Sequence, residues 1–323
     1  MKSSRASSQS VKQIAPEKIE RNPDNPRLIF RAEEMDSLLT SINRYGIQVP
    51  ITVYRDDDRY ILIDGERRWR CARKLNLSKI PALVQPKPSE LDNLLLMFNI
   101  HALREQWDYL TIANRLPRII ELYHADNEGQ EPSETELSEA TGLTRGQIRR
   151  CRLLLELPEE YREQLFKELE LPKARQRLSE DFFIEMERAI KTIQNRVAGA
   201  ITNVNRVRDV LIAKYRKKTI DNVTDFRKLA KIATSVKGLG VDEDEAREAI
   251  KEICKASGPG ITEVFDRQFG LRYDEQKLGR QIDALVNYLD AVDADGLEEL
   301  DAMGLRQPLE RLKAELDRLF QGN

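Results

Sequence analysis

The sequence predicts an α+β protein, with a small α/β domain first, then a mostly α-helical domain carrying a helix-turn-helix, and last a helical C-terminal region. Three observations carry that prediction. Short alternating or β-branched runs are confined to the first 86 residues. From residue 90 onward apolar residues recur at helical spacing nearly throughout. Aromatic residues make up only 6% of the chain and charged ones 33%, the balance of a helix-rich, well-solvated protein. At 323 residues there is room for two or three domains.

The opening stretch MKSSRASSQSVK is polar and serine-rich, so residues 1–12 are expected to form a disordered arm, with order beginning near Ile14. Pro23, Asn25 and Pro26 impose extended or turn geometry. Met35, Leu38, Leu39 and Ile42 then fall on one face of a helix over 33–44, which Gly46 ends. Strands are predicted over 49–54 and 60–63 around a charged turn at 55–59, a helix over 66–75 and a further strand over 80–84. Residues 13–88 form the first domain on this reading. Helices are predicted over 91–101, 110–123, 159–170, 181–197, 201–218 and 225–235, with Gly238 and Gly240 marking a boundary. The helical DNA-binding domain spans 89–180, a basic helical region 181–240 and an acidic helical region 241–323.

The helix-turn-helix falls within 133–155. Ser133 and Glu136 have capping-box spacing, as do Thr144 and Gln147, so helices begin after Ser133 and at about Arg145. Gly142 supplies the turn, Ser138 is small where two helices cross, and Leu137, Leu143 and Ile148 lock the pair. The second helix offers Thr144, Arg145, Gln147, Arg149 and Arg150 to base edges, where Arg pairs with guanine and Gln with adenine. Glu134, Glu136 and Glu139 suit a face turned away from phosphate. An ordinary helical hairpin would show the spacing but has no need of a basic second helix. The reading implies double-stranded DNA as partner.

A second constellation is DGERRWR, beginning at Asp64. A strand running through Gly65 into a helix leaves free N–H groups at the helix start, and Arg67 and Arg68 add fixed positive charge, an arrangement that suits phosphate. A plain strand-to-helix corner with solvated arginines is the alternative.

The net charge of −2 hides a polarised distribution. Residues 188–237 hold 13 Lys and Arg against 3 acids, and residues 241–323 hold 11 against 20. The basic stretch, including Arg216, Lys217 and Lys218, is expected to touch phosphates without reading sequence. In the acidic region Leu305, Leu309, Leu312, Leu316 and Leu319 keep the rhythm of a helix pair, and Leu278, Ile282, Leu285 and Leu289 form a similar stripe. These pair either within the chain or between two copies, and a homodimer suits a palindrome-reading helix-turn-helix.

Three widely spaced cysteines suggest neither a disulfide framework nor a metal knuckle, and fit a reducing cytoplasm. His101 and His124 lack neighbouring ligands, so a metal site on them is not expected. Trp69 and Trp107 are read as packing residues. No apolar run approaches a membrane span and no signal-peptide core follows the first lysine, so no membrane partner is expected.

NPRLIF, SINRYGIQVPITV and IDGERRWRCARKLNLSKIPALV, in that order and followed by the helix-turn-helix and LLLELP, resemble the ParB family of partition proteins. The resemblance covers roughly residues 14–170 and fades in a divergent, longer C-terminal region. It implies a ParB/sulfiredoxin-like nucleotide-binding domain, with CTP and Mg2+ as ligands, joined to a helical DNA-binding domain. Together these would act as a nucleotide-switched DNA clamp in plasmid or chromosome partition, or as a related regulator, with a ParA-type ATPase as partner. It places phosphate-binding positions on Gly65, Glu66, Arg67 and Arg68, puts Arg27 and residues 46–50 near the nucleotide, and in FNIHALREQW implies Asn99 at the metal and Arg104, two residues further on than in the family, at the nucleotide. Phe98 stands where the family has an acid linked to hydrolysis, so the resemblance implies nucleotide binding with at most weak CTP hydrolysis. The sulfiredoxin cysteine pattern is not reproduced, and Cys71 is read as structural. A ParB-fold nuclease or phosphotransferase is the competing reading, with Asp64 and Glu66 the only acids near DGERR.

Overall fold

The computed structural model describes residues 11–102, 108–127, 129–290 and 304–321. The N-terminal domain is a five-stranded mixed sheet of β1 (Val11–Ile14), β2 (Ile19–Glu20), β3 (Ile51–Asp56), β4 (Arg59–Asp64) and β5 (Ile80–Gln85), with α1 (Ala32–Tyr45) and α2 (Glu66–Lys74). The strand order is β1-β5-β3-β4-β2. β3 runs antiparallel to β4 and parallel to β5. Ile51, Val53, Leu62, Ile80 and Ala82 cluster with Ile14, Ile19, Trp69 and Ala72 to form the core of this layer. Ile63, next to Leu62 and therefore on the opposite face of β4, enters a second core made with the helices.

The sheet corrects two boundaries. Residue 11, expected to lie in a disordered arm over 1–12, begins β1, where Val11 stands opposite Leu83 and Lys12 opposite Ala82. Only Ile14 of that strand is buried, so backbone pairing rather than an apolar pattern makes it. The strand expected from residue 49 starts at Ile51, because Pro50 has no N–H to give a ladder and Val49 is exposed.

The helical body follows as α3 (Glu90–Ala102), α4 (Tyr109–Ala113), α5 (Leu116–Asp126), α6 (Glu134–Thr141), α7 (Arg145–Leu155), α8 (Glu159–Glu170), α9 (Glu180–Arg196), α10 (Val204–Arg216), α11 (Asp225–Gly238) and α12 (Glu243–Ile253). α13 (Ile261–Phe265) continues through a π turn at Asp266–Gly270 into α14 (Leu271–Asp290), and Arg306–Gln321 is the last described helix. The single helix expected over 110–123 is two. Pro117 lies in the first turn of α5, and a proline there clashes with the carbonyl four residues back, so α4 stops at Ala113. The helix expected from residue 201 begins at Val204, after Asn203 caps it by accepting from the Arg206 N–H.

No domain boundary falls at Gly240. Ala246, Ala249, Ile250, Ile253, Ile261, Val264 and Phe269 share one core with Phe182, Leu211, Phe226 and Leu229. The glycine makes a tight turn in which the Val241 N–H donates to the Ser235 carbonyl. The packed part of the acidic region therefore belongs with the basic one, and the apolar stripe on α14 begins only beyond it. Leu278, Ile282 and Leu289 stand exposed there, as do Leu312, Leu316 and Leu319 on the last helix.

Arg31 fastens the two layers. Its guanidinium makes hydrogen bonds of 2.9 and 3.0 Å to both carboxylate oxygens of Asp108, the residue before α4, and 3.1 Å to the Leu169 carbonyl at the end of α8.

Candidate anion pocket and DNA-reading helix

Gly65 sits at the start of α2 with φ +97°, where a Cβ would lie 2.6 Å from Ile51 Cγ2. Glycine is required there on two counts, backbone conformation and space. The first-turn N–H groups of α2 have no partners within the helix, and they face a cavity of about 390 Å³ lined by Asn25, Arg27, Leu38, Val49, Arg67 and Arg68, among others. Among the described residues, Arg27 makes no ion pair and no side-chain hydrogen bond. Burial, and then the Arg67 guanidinium, depress its pKa below the usual arginine value. Arg67 donates 2.9 Å to the Glu34 carbonyl and lies 3.5 Å from the Glu34 carboxylate. Two guanidiniums lining one cavity beside a helix start make a site whose charge suits an anion.

The other predicted phosphate ligands are used differently. Arg68 donates to the carbonyls of Val49 (2.6 Å) and Pro50 (2.8 Å) and to Asp64 (2.8 Å), so it fixes the cavity wall. Glu66 lines the same cavity but is buried and engaged, one oxygen accepting from Asn25 at 2.6 Å and the other from Arg70 at 2.9 and 2.5 Å. A carboxylate would also repel the ligand. Its role is to clamp the 22–27 loop that carries Arg27. The same loop is held by Asn22 donating to Asn93 (3.1 Å) and by Arg115 donating to the Pro23 carbonyl (2.6 Å). In the sequence Asn25 stands out only as part of a turn and Asn22 not at all, and their partners lie 41 and 71 residues away, respectively.

Asn99, the expected metal ligand, does not line the cavity. Its amide nitrogen donates at 3.0 Å to Leu95 and to the Ala140 carbonyl of α6, which turns the side chain toward the helix-turn-helix. Phe98 is fully buried among helical core residues. Arg104 and Trp107 lie outside the described residues, as does the side chain of His101. Trp69 is a packing residue whose indole donates to the Pro16 carbonyl at 3.0 Å. Cys71 is buried, which pushes its thiol up from the ordinary value. Among the described residues no group of three or more His, Cys, Asp or Glu could hold a metal ion, and no helix is long and apolar enough to cross a membrane.

α6 and α7 form a capped helix pair. Ser133 and Glu136 make a reciprocal box at the start of α6, as do Thr144 and Gln147 at the start of α7. Gly142 takes φ +72° in the turn between them, and Leu137, Leu143 and Ile148 are buried beneath. Ser138 does more than leave room, since its hydroxyl donates 2.6 Å to the Leu143 carbonyl and holds the turn. Gln147 accepts from the Thr144 N–H with its oxygen at 2.8 Å, which leaves its amide N–H groups available.

Two expectations about this face are corrected. Arg150 points inward, pairing with Asp181 at the start of α9 and lying 4.6 Å over the Tyr109 ring, so it braces α7 from behind. Glu134 does not face away from the basic helix. It accepts 2.9 Å from Arg149 and lies 3.8 and 3.7 Å from Arg145 and Arg152, which follow one another along a single stripe of α7. Arg145 and Arg149 are well exposed. Arg216 is paired with Glu168 at 3.3 Å, while Lys217 and Lys218 are exposed at the end of α10.

An α/β domain with a cavity at the start of α2, fastened to a helical body that carries a capped helix-turn-helix, defines a two-part class. Residues 1–98 match the model of the ParB N-terminal domain. It is 31% identical over 159 residues to a nucleoid occlusion protein of Geobacillus sp. (strain WCH70), covering 49% of this chain and 53% of that one. It is also 31% identical over 155 residues to the chromosome-partitioning protein ParB of Caulobacter vibrioides (strain NA1000 / CB15N), covering 44% and 45%. The chain spans about half the length of the curated relatives it matches. Among solved structures, a C-terminally truncated ParB from Caulobacter crescentus complexed to the centromeric parS site is 19% identical, covers 74% of this chain and 98% of that chain, and has a TM-score of 0.38.

Proposed function

We propose that the chain is a sequence-preferring DNA-binding protein of the partition or nucleoid-occlusion kind, whose engagement of DNA is governed by a nucleotide in the α2 cavity. The observation that carries this is the unpaired Arg27 beside Arg67 at the N-terminal end of α2, within a ParB N-terminal domain. A cavity of about 390 Å³ fits the small-molecule range, and its charge selects an anion with several phosphate oxygens. CTP is the nucleotide proposed, following the family resemblance. Mg2+ would ride on its phosphates, since Asn99 is engaged elsewhere. Arg27, Arg67 and the N–H groups from Gly65 onward would hold phosphate, while Glu66 and Arg68 position the loop and wall around it.

Arg145, Arg149 and the free amide of Gln147 would read bases, with Thr144 setting the helix start and Lys217 and Lys218 touching phosphates. A homodimer through the exposed stripes of α14 and the last helix would match a two-fold DNA site. A ParA-type ATPase is the partner expected of a partition role, in the cytoplasm and on the nucleoid or plasmid. Asp64 and Glu66 are both occupied by arginines, which argues against a two-metal nuclease.

The test is isothermal titration with CTP, ATP and GTP in the presence of Mg2+, followed by genomic-fragment pull-down with and without the nucleotide that binds. CTP heat that is lost in Arg27→Ala, together with a nucleotide-dependent set of enriched fragments, is the expected result. No heat from any nucleotide would remove the switch, and nicking of supercoiled plasmid would favour an enzyme.

A further inference from the structure

The segment between α8 and α9 is a basic knuckle that the sequence reading passed over. Lys173, Arg175 and Arg177 are all exposed, and among the described residues none of the three makes an ion pair. The segment is nonetheless held firmly. Gln176 donates to the carbonyls of Leu169 (3.3 Å) and Leu171 (2.9 Å), the Arg177 N–H donates to Glu168 at 2.9 Å, and Leu178 is fully buried. The other oxygen of Glu168 takes the Arg216 guanidinium, so the end of α10, with Lys217 and Lys218, lies against the knuckle. The one acid at the centre is thereby occupied and itself little exposed.

Cations without carboxylate partners, on backbone already ordered, can meet an anion at little further cost in conformational entropy. The position of the knuckle selects the anion. Asp181, four residues after Arg177, is paired with Arg150 of α7. Four residues of chain reach at most about 14 Å, so Arg177 lies within that distance of the Asp181 backbone at the inner side of α7, a fraction of one duplex turn of about 34 Å. We infer that Lys173, Arg175 and Arg177, with Lys217 and Lys218, form a second phosphate-docking surface on the duplex that α7 reads. It would hold register without reading sequence. The inference rests on the DNA-binding reading of α7 and adds a surface outside the helix-turn-helix.

The test measures binding of the full chain to a labelled duplex retrieved by genomic pull-down, and to a random duplex of equal length, from about 50 to about 200 mM salt. The triple variant Lys173→Ala, Arg175→Ala, Arg177→Ala should weaken both complexes. Its slope of log affinity against log salt should be shallower by about two to three, at roughly 0.9 per phosphate contact, with the preference between duplexes kept. Because all three residues are exposed, the melting temperature should be unchanged, and a Gln triple variant should repeat the result. Wild-type binding with an unaltered slope in both triple variants overturns the inference alone. Failure of the wild type to bind either duplex overturns the DNA-binding reading itself. Loss of binding to phosphatidylserine vesicles with an unaltered DNA slope would assign the knuckle to a lipid surface and overturn the proposal for DNA.

Discussion

Glu134 accepts a 2.9 Å hydrogen bond from Arg149, placing one carboxylate from the first turn of α6 against the outward face of α7. Arg145 and Arg152 lie within 3.8 Å of the same carboxylate, and Arg149, as its first cause, holds the Glu134 pKa below the ordinary range. One negative charge therefore offsets three exposed guanidiniums that would otherwise attract any phosphate. Glu134→Gln is expected to raise affinity for random duplex by roughly threefold to tenfold and to steepen the salt slope by up to about one. Affinity for the selected duplex should rise less, so discrimination falls. Paired binding isotherms on the two duplexes check this, and equal gains on both would show that Glu134 has no part in specificity.

The Gly65 prediction separates two causes of strain. Gly65→Ala meets both an unfavourable φ of +97° and a 2.6 Å approach to Ile51, together costing roughly 2–5 kcal/mol. Asn tolerates positive φ better than Ala but brings the same Cβ. If the clash with Ile51 dominates, Gly65→Asn should recover little of the lost urea midpoint; if the conformation dominates, most of it. Either variant should also lose nucleotide heat, because the α2 N–H groups move with the corner.

Arg31 and Asp108 join the sheet domain to α4 by two hydrogen bonds in a partly buried setting. A double-mutant cycle over Arg31→Ala and Asp108→Ala should give a coupling of about 1–2 kcal/mol, after discounting for water access. Urea unfolding of the four proteins measures it. A coupling near zero would mean that the other contacts, among them those of the Leu169 carbonyl, Asn22 with Asn93 and Arg115 with Pro23, hold the two layers together with apolar packing.

Much of this was legible in the sequence where the relevant signal is local. The capping boxes at Ser133 and Thr144 and the turn at Gly142 depend on residues three to five apart, and both helices begin where the spacing places them. The engagements of Glu66 with Asn25 and of Arg150 with Asp181 were not legible because those partners are remote. Asn25 lies 41 residues before Glu66, and Asp181 lies 31 after Arg150. Nothing adjacent in the chain distinguishes a guanidinium that reads from one that braces. β1 was missed because only one of its residues is buried. Pro117 could have been weighed, since a proline inside an apolar-periodic run is itself a break signal.

Glu180 gives the molecule a pH-dependent stability centred behind α7. Its carboxylate accepts from the Leu110 N–H at 2.6 Å, and burial pushes its pKa up to about 7, opposed by the Leu110 and Tyr109 N–H groups and aided by Asp108. In the unfolded chain the carboxyl titrates near its ordinary value of 4.5. Between about 4.5 and 7 the folded state therefore holds a proton that the unfolded state has released, and stability from this group falls as pH rises through that window. Above it the penalty is constant, at most about 3 kcal/mol and nearer 2 where water reaches the group. Glu180→Gln keeps an acceptor for the Leu110 N–H and has no charge to desolvate. The variant should match the wild type near pH 4.5 and be increasingly more stable up to about pH 7, with a constant advantage beyond. Urea midpoints across that range test it, and a constant difference at every pH would show that Glu180 does not titrate there. Because Asp181 next to it pairs with Arg150, the same series repeated with bound duplex would show whether this charge also reaches α7.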